Sequence, residues 1–372
     1  MNLSPHKYIT FFSNNFWTLY KFREDAIKLF IKNGYKVNLI GKYDGFEQKF
    51  SDNNIKKYNL SIDERGYNPI KELALFINIF LLYKKIPSDI FYHYTIKPNL
   101  YGSISARLLN YRYISFITGL GSLFIKSKSF LRKLAIILYR ISLKKSDEIW
   151  FTNNSDLNDF VSYKIISPRI KTRIVPGCGV STAFFYPQIK QINKKNILMI
   201  ARLQSEKGVN EYLHLANKYK NLGYNFTIVG SLNSSDPSRI KLSTLESLVS
   251  DKIISYIPFV SNVLSLYDSA DCFILPSYRE GLSTVLVEAA SRKIPIITTN
   301  VPGCIDVIPN ESYGFLCNPR DKDSLCEAFD RYIHCSNERI TNMINKTHDH
   351  AYKNFSKDVI LSHYSSKIKD LC

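Results

Sequence analysis

No cysteine precedes Cys178, and none of the seven in the chain forms a C-x-x-C pair. An odd number, all from Cys178 onward, fits reduced thiols in the cytosol better than a disulfide framework or a zinc site. No apolar run is long enough to span a bilayer; the longest, residues 73–83, is interrupted by Asn78. The first ten residues are polar, so no secretory signal is expected. The turn after the first apolar strand, Ser13-Asn-Asn-Phe-Trp-Thr18, contains no glycine. A Gly-rich phosphate cradle is therefore absent there, which argues against a dinucleotide-binding first domain. Repeats and low-complexity tracts are also missing. Acidic residues are scarce in one half only: residues 1–185 carry 28 Lys+Arg and 13 Asp+Glu, a net of +15, whereas residues 186–372 carry 22 and 19, a net of +3. A one-sided basic charge points to an anionic surface or polymer, a membrane or a nucleic acid.

What is present alternates strand and helix. Residues 8–12, 36–40, 90–93, 113–117, 147–152 and 173–176 read as strands, with helices at 16–32, 68–85, 99–109 and 156–162. After a polar stretch at 186–196, a second series follows, with strands at 197–200, 226–229, 253–257, 272–275, 296–298 and 314–316. Helices at 325–344 and 356–369 finish the chain. The pattern predicts an α/β protein of two doubly wound domains, 1–185 and 186–372, with the last helix packing back toward the first domain. The cleft between two such domains is the default ligand site.

Residues 126–145 predict an unusual helix. Phe130, Leu131, Leu134, Ile137, Leu138 and Ile141 form one apolar face, edged by Lys126, Lys133, Arg140 and Lys144. A basic amphipathic helix reads either as an interfacial membrane segment or as a core-facing helix with a solvated basic edge.

The stretch 276–290 carries the most chemistry. It follows the buried strand 272–275, which Pro276 and Ser277 break. A helix then begins near Ser283, with Glu280 just before its first turn and Glu288 about two turns in. Amides at such a helix start bind anions, and the crevice at the strand's carboxyl end is where open α/β sheets bind ligands. Phosphate on the amides and hydroxyls on the two glutamates would suit this layout; a helix cap and a solvated surface residue are the plainer alternative. Arg202 and Lys207 lie on another strand-to-helix loop, Ala201-Arg-Leu-Gln-Ser-Glu-Lys-Gly208. Two cations there suit a diphosphate leaving group, with Arg gripping it bidentately and Lys acting as a point charge.

Taken together, Arg202-(x4)-Lys207-Gly208, Val229-Gly230, Ala270-Asp271, Pro276-Ser277 and Glu280-Gly281-(x6)-Glu288-Ala289 closely resemble glycosyltransferase family 4, the retaining enzymes of the GT-B fold. The resemblance spans most of the chain and is strongest over 197–319. It implies that Glu280 contacts donor-sugar hydroxyls and Glu288 the nucleotide ribose. Arg202 and Lys207 would bind the donor diphosphate, amides near Gly281, Leu282 and Ser283 the distal phosphate, and Gly230 would lie beside the nucleotide. A narrower resemblance, to bacterial enzymes that build on undecaprenyl-diphosphate sugars, is carried by Phe91-Tyr-His-Tyr-Thr-Ile-Lys-Pro98, Tyr101-Gly-Ser103, Phe116-Ile-Thr-Gly-Leu-Gly-Ser-Leu-Phe124 and Val301-Pro-Gly-Cys304. The chain departs from the family at Asn14-Asn15, where many members have a glycine pair, at Thr118, where many have histidine, and at Ser181, where aspartate is usual. No catalytic base transfers to Thr118; His93 is either structural or turned toward the acceptor.

The expected activity is retaining transfer of a hexose or N-acetylhexosamine from a nucleotide diphosphate sugar, UDP-linked, to an undecaprenyl-diphosphate saccharide. No cofactor and no metal are expected, because Arg202 and Lys207 supply the positive charge. Asp321-Lys-Asp323 reads as a helix cap and His348-Asp-His350 as part of a late helix, not as metal sites. The expected location is the cytoplasmic face of the inner membrane, held peripherally by the basic first domain and residues 126–145. The rival readings are a GT-B sugar-nucleotide epimerase working in solution and a basic nucleic-acid binder, although the basic residues follow no nucleic-acid module.

Overall fold

The computed structural model describes residues 7–371 except 65, 67, 120–129, 188–190, 192, 233–237 and 261. The chain divides into two units: Met1–Cys178 with Ile360–Cys372, and Gly179–Val359.

Unit 1 runs β1 (Tyr8–Asn15), α1 (Phe16–Lys32), β2 (Lys36–Lys42), β3 (Ile55–Asn59), α2 (Pro69–Tyr83), β4 (Ile90–Tyr94), α3 (Ser103–Leu108), β5 (Tyr113–Ile117), α4 (Phe130–Leu143), β6 (Glu148–Phe151), α5 (Asn154–Ser162) and β7 (Thr172–Ile174). The strands form one sheet, ordered β3-β2-β1-β4-β5-β6-β7, and every pairing is parallel. Order therefore reverses between β1 and β4. The helix starts follow from local chemistry. Asn15 caps α1, its Oδ1 accepting from Thr18 N at 2.9 Å and from Thr18 Oγ1 at 2.7 Å. Asn68 caps α2, and Pro69 fills a first-turn position that needs no N–H donor. Asn15 thus has a structural task that a glycine could not perform.

The pleat sends alternate strand residues to opposite faces. Phe11, Tyr92, Tyr94, Ile114, Phe116 and Trp150 pack against α1 and the C-terminal helix, whose contacts include Ile360, Tyr364 and Ile368. Phe12, Phe91 and Tyr113 face α2 and α3, while Ile117, Ile149 and Phe151 face Tyr139 and Leu143 of α4. α2, α3 and α4 therefore share one side of the sheet.

Unit 2 runs β8 (Asn196–Ile200), α6 (Val209–Tyr219), β9 (Asn225–Val229), α7 (Leu242–Ser250), β10 (Ile254–Ile257), α8 (Leu264–Ser269), β11 (Cys272–Leu275), α9 (Thr284–Ser291), β12 (Ile296–Thr299), β13 (Phe315–Cys317), α10 (Lys322–His334) and α11 (Asn337–Phe355). The C-terminal helix, α12, is Lys357–Leu371. The sheet is ordered β10-β9-β8-β11-β12-β13, again parallel throughout, with the reversal between β8 and β11.

Two expectations change, and two alternatives left open are decided. The edge strand β3 is missing from the sequence reading. The single helix expected at 325–344 is two, because Ser336 caps a new start by accepting from Arg339 N at 3.3 Å. His93 is not turned toward a ligand: it is fully buried on the α2 side, between Tyr83 Oη and Ser103 Oγ, each at 2.8 Å. Burial lowers its pKa to about 3, so the ring is neutral. Finally, the apolar stripe of α4 points outward, which overturns the core-facing alternative and leaves the interfacial one. Leu134, Ile137 and Ile141 are exposed, whereas Ala135, Tyr139 and Leu143 are buried. Lys126 and the start of that expected helix lie outside the described residues, as do the side chains of Phe130 and Leu131. Among the described residues no helix is long and apolar enough to cross a membrane.

Candidate functional site

Parallel α/β sheets bind ligands at the carboxyl ends of their strands, where strand order reverses. In unit 2 that point is flanked by the loop after β8, which bears Arg202 and Lys207, and the loop after β11, which bears Glu280. The two loops are clamped together. Gly208 adopts a left-handed φ of 74°, and a Cβ there would lie 2.1 Å from Pro276 O, so only glycine lets the first loop press against the end of β11. Tyr278 N donates to Glu206 O at 2.9 Å, and Ser277 Oγ lies 3.2 Å from the same carbonyl.

This clamp brings Lys207 onto Glu280. The ammonium Nζ lies 2.6 Å from Oε1 and 2.7 Å from Oε2, and Ser277 Oγ donates to Oε1 at 2.8 Å. Both side chains keep a fraction of exposed surface, 18% for Lys207 and 12% for Glu280. The pair is thus sheltered enough to be strong yet open to a ligand. A third loop backs it. Glu280 N donates to Pro302 O at 3.1 Å, and Gly303, at φ 80°, sits so close that a Cβ would meet Glu280 O at 2.5 Å. Cys304 lies behind, fully buried, its thiol pushed up to about 12 by burial and by the Glu280 charge.

Glu288 is not a solvated surface residue. It is 9% exposed on α9, and its Oε2 accepts from Tyr267 Oη of α8 at 2.8 Å. Burial and then the Glu288 charge raise the Tyr267 pKa well above its usual value, so the phenol stays a donor. Ser283 stands at the N-cap of α9 without making a side-chain cap bond. Leu282 and Ser283 precede the first turn, where helix N–H groups have no intrahelical partners and favour anions. Gly281 lies one residue earlier, between Glu280 and that turn. Gly230 follows β9, beside the same strand ends, and its carbonyl accepts from Tyr256 Oη at 3.1 Å.

The structure therefore gathers Lys207, Glu280, the amides at 281–283 and the start of α9 around one strand reversal. Arg202 is exposed on the rim of the first loop and forms no ion pair among the described residues. The sequence reading misses Tyr267 as a partner of Glu288, and it counts Ser277 as a strand breaker and part of the family motif without assigning it a bond to Glu280. The decoys resolve locally. Asp321 caps α10, its Oδ1 accepting from Ser324 N at 2.9 Å. His350 Nε2 lies 2.8 Å from Asp306 O, and His348 Nε2 3.3 Å from Phe185 O. The arrangement offers cations and amides for phosphate oxygens and carboxylates for hydroxyls.

The family model described as glycosyl transferases group 1 matches residues 184–350, and the glycosyl transferase 4-like model matches residues 8–153. The chain is 26% identical over 336 residues to the N,N'-diacetylbacillosaminyl-diphospho-undecaprenol alpha-1,3-N-acetylgalactosaminyltransferase of Campylobacter jejuni, covering 86% of this chain and 87% of that protein. It is 25% identical to the UDP-Gal:alpha-D-GlcNAc-diphosphoundecaprenol alpha-1,3-galactosyltransferase of Escherichia coli, covering 84% and 83%. Among solved structures, sucrose-phosphate synthase from Thermosynechococcus elongatus superposes with a TM-score of 0.79 at 17% identity, over 98% and 99% of the two chains. Anabaena HepE in complex with UDP-glucose superposes with a TM-score of 0.77 at 14% identity, over 98% and 100%. The structural likenesses establish the fold.

Proposed function

We propose that this chain, whose two units belong to the group 1 and the 4-like glycosyl transferase families, moves a hexose or N-acetylhexosamine from a UDP-sugar to an undecaprenyl-diphosphate saccharide with retention of configuration. The observation that carries this reading is the Lys207–Glu280 pair at the unit 2 strand reversal, together with relatives that act on undecaprenol-linked sugars.

In this reading Glu288 holds the ribose hydroxyls, with Tyr267 fixing its orientation. Lys207 and the exposed Arg202 meet the diphosphate, helped by the amides of Gly281, Leu282 and Ser283, and Gly230 lies beside the nucleotide. Glu280 accepts hydrogen bonds from the donor sugar. The bond between the anomeric carbon and the diphosphate oxygen breaks, and the acceptor hydroxyl forms a new bond to that carbon on the same face. The departing diphosphate takes the acceptor's proton, so no side chain needs to act as nucleophile. The contribution of Lys207 is to neutralise charge as it develops on the leaving group, which is worth most in a sheltered site. With both cations present, chelators should leave turnover unchanged.

The acceptor side rests on unit 1. Its basic excess suits an anionic bilayer and a lipid-linked diphosphate. The outward face of α4 supports this: Leu134, Ile137 and Ile141 are exposed, beside exposed Lys133 and Arg140. α2, on the same side of the sheet, adds exposed Ile70, Leu73, Ile77 and Leu81. Aliphatic stripes with cations at their edges are the chemistry of a helix lying in a lipid interface. Binding to anionic vesicles should fall when Leu134 and Ile137 are both changed to Ser; unchanged flotation would remove α4 from the reading. The central test sets a panel of UDP- and GDP-sugars against short-chain polyprenyl-diphosphate sugars, read by mass spectrometry. A product heavier by one sugar is expected from a UDP donor. Epimerised nucleotide sugar without transfer would favour the epimerase instead.

A further inference from the structure

The strand reversal in unit 1 lies between β1 and β4, and the residues there are as distinctive as those in unit 2. Thr95, the first residue after β4, has a φ of 66°. A β-branched residue in the left-handed region is a true outlier, costly unless its surroundings over-determine it. Here they do. Asn99, buried at 1%, donates through Nδ2 to Thr95 O at 2.8 Å and to Phe116 O at 2.9 Å, tying the turn to the end of β5. Thr95 Oγ1 also faces Asn14 at the end of β1, 2.9 Å from its Oδ1. Thr95 and Asn14 are both half-exposed. The Asn14 Nδ2 has no acceptor among the described residues, and the Thr95 oxygen keeps acceptor capacity. The nearby cation, Lys97, is buried and committed to Glu72 and to Gly66 O.

Glycine or asparagine would satisfy this turn at lower cost; the threonine hydroxyl, whose one proton goes to Asn14 Oδ1 or to Tyr94 O, pins the turn and leaves its oxygen able to accept. Thr95 and Asn14 offer a hydroxyl and an amide; Lys97 is paired with Glu72, and the nearby charge that remains is the exposed Glu64 carboxylate, which accepts from Asn15 Nδ2. That set recognises sugar hydroxyls and is poorly suited to phosphate. We propose that Thr95 and Asn14 form the subsite for the terminal sugar of the acceptor, with Asn99 as a positioning residue behind them. The proposal rests on the glycosyltransferase reading above, from which it takes the identity of the acceptor.

The test measures binding of N-acetylglucosamine diphosphate carrying a ten-carbon prenyl chain, by calorimetry, to the full-length protein and to Thr95→Gly and Asn14→Ala. Glycine relieves the backbone, so Thr95→Gly should melt no lower than the parent. Its acceptor Kd should nevertheless rise roughly tenfold, the scale of one or two lost hydrogen bonds, while UDP affinity stays unchanged. Thr95→Ser should rescue part of the loss. An unchanged acceptor Kd in Thr95→Gly, or no binding of the probe to the parent protein, overturns the proposal. Transfer from a UDP-sugar to the same probe is measured alongside. If the parent binds the probe and Thr95→Gly does not, but neither transfers sugar, the transferase reading falls and the saccharide subsite stands.

Discussion

At the strand reversal of unit 2 stand two basic side chains, Arg202 and Lys207, with the carboxyl group of Glu280; at that of unit 1 stand the amides of Asn14 and Asn15 and the hydroxyl of Thr95, with no cation free there among the described residues and Glu64 against Asn15. The two units share a topology and a rule for where ligands bind, yet they furnish that position with different chemistry. A cationic reversal point can carry a phosphate leaving group, because fixed cations stabilise charge as it appears. One without a free cation is suited to hydroxyls, which need directed hydrogen bonds and no counter-charge. The overall charge runs the other way. Unit 1, whose reversal point offers no free cation, lies in the half with nearly all the basic excess, while unit 2 is close to balanced. The bulk charge therefore belongs to the surface, where exposed Lys133 and Arg140 of α4 lie, and the local charge belongs to the chemistry.

The sharpest way to break this contrast is to remove the unit 2 charge. Lys207→Met should lower kcat by about 10²–10³, the scale of losing one charge-stabilising donor. It should also lower the melting temperature, since Glu280 is left sheltered without its partner. The double variant Lys207→Met/Glu280→Gln should recover the melting temperature and none of the turnover. Recovery of both would make the pair purely structural. A smaller effect is expected from Gly303→Ala. Its Cβ would press on the Glu280 backbone from a left-handed conformation, shifting the carboxylate by a fraction of an ångström. Turnover should drop roughly ten- to hundredfold, with little change in acceptor affinity; a parallel loss of acceptor affinity would blur the division between the units.

The smallest effect belongs to unit 1. Burial holds the folded-state pKa of His93 at about 3, below the 6.5 of an exposed imidazole. Between those values the unfolded chain binds a proton that the folded chain does not. Stability therefore falls as pH drops from about 6.5 toward 3, and is insensitive to this group above that range. In His93→Gln, the gap between urea midpoints at about pH 7.5 and pH 5 should narrow. An undiminished gap would mean that another group drives the acid sensitivity.

Much of this architecture is legible in the sequence, for a physical reason. Parallel strands buried on both faces appear as short apolar runs such as Cys272-Phe-Ile-Leu275, and the E-x7-E spacing marks Glu280 and Glu288. β3 escapes because it is an edge strand with exposed lysines, Lys56 and Lys57, and no apolar run. Periodicity finds the stripe on α4 but cannot tell which side meets the sheet; the inward side is Ala135, Tyr139 and Leu143, which are less apolar than the stripe itself. Tyr267 carries no local signal, since its task depends on a glutamate 21 residues away. The strain at Thr95 is invisible for the same kind of reason. Threonine usually favours extended backbone, and only the clamp formed by Asn99 and Asn14 holds it elsewhere.

The division of labour between the two reversal points is tested most directly by titrating UDP calorimetrically into the parent protein and into Glu288→Ala. Micromolar-range binding by the parent and at least a tenfold loss in the variant, at an unchanged melting temperature, is the predicted result. Equal UDP affinity in the two proteins would contradict it, and would remove the nucleotide from the strand reversal of unit 2.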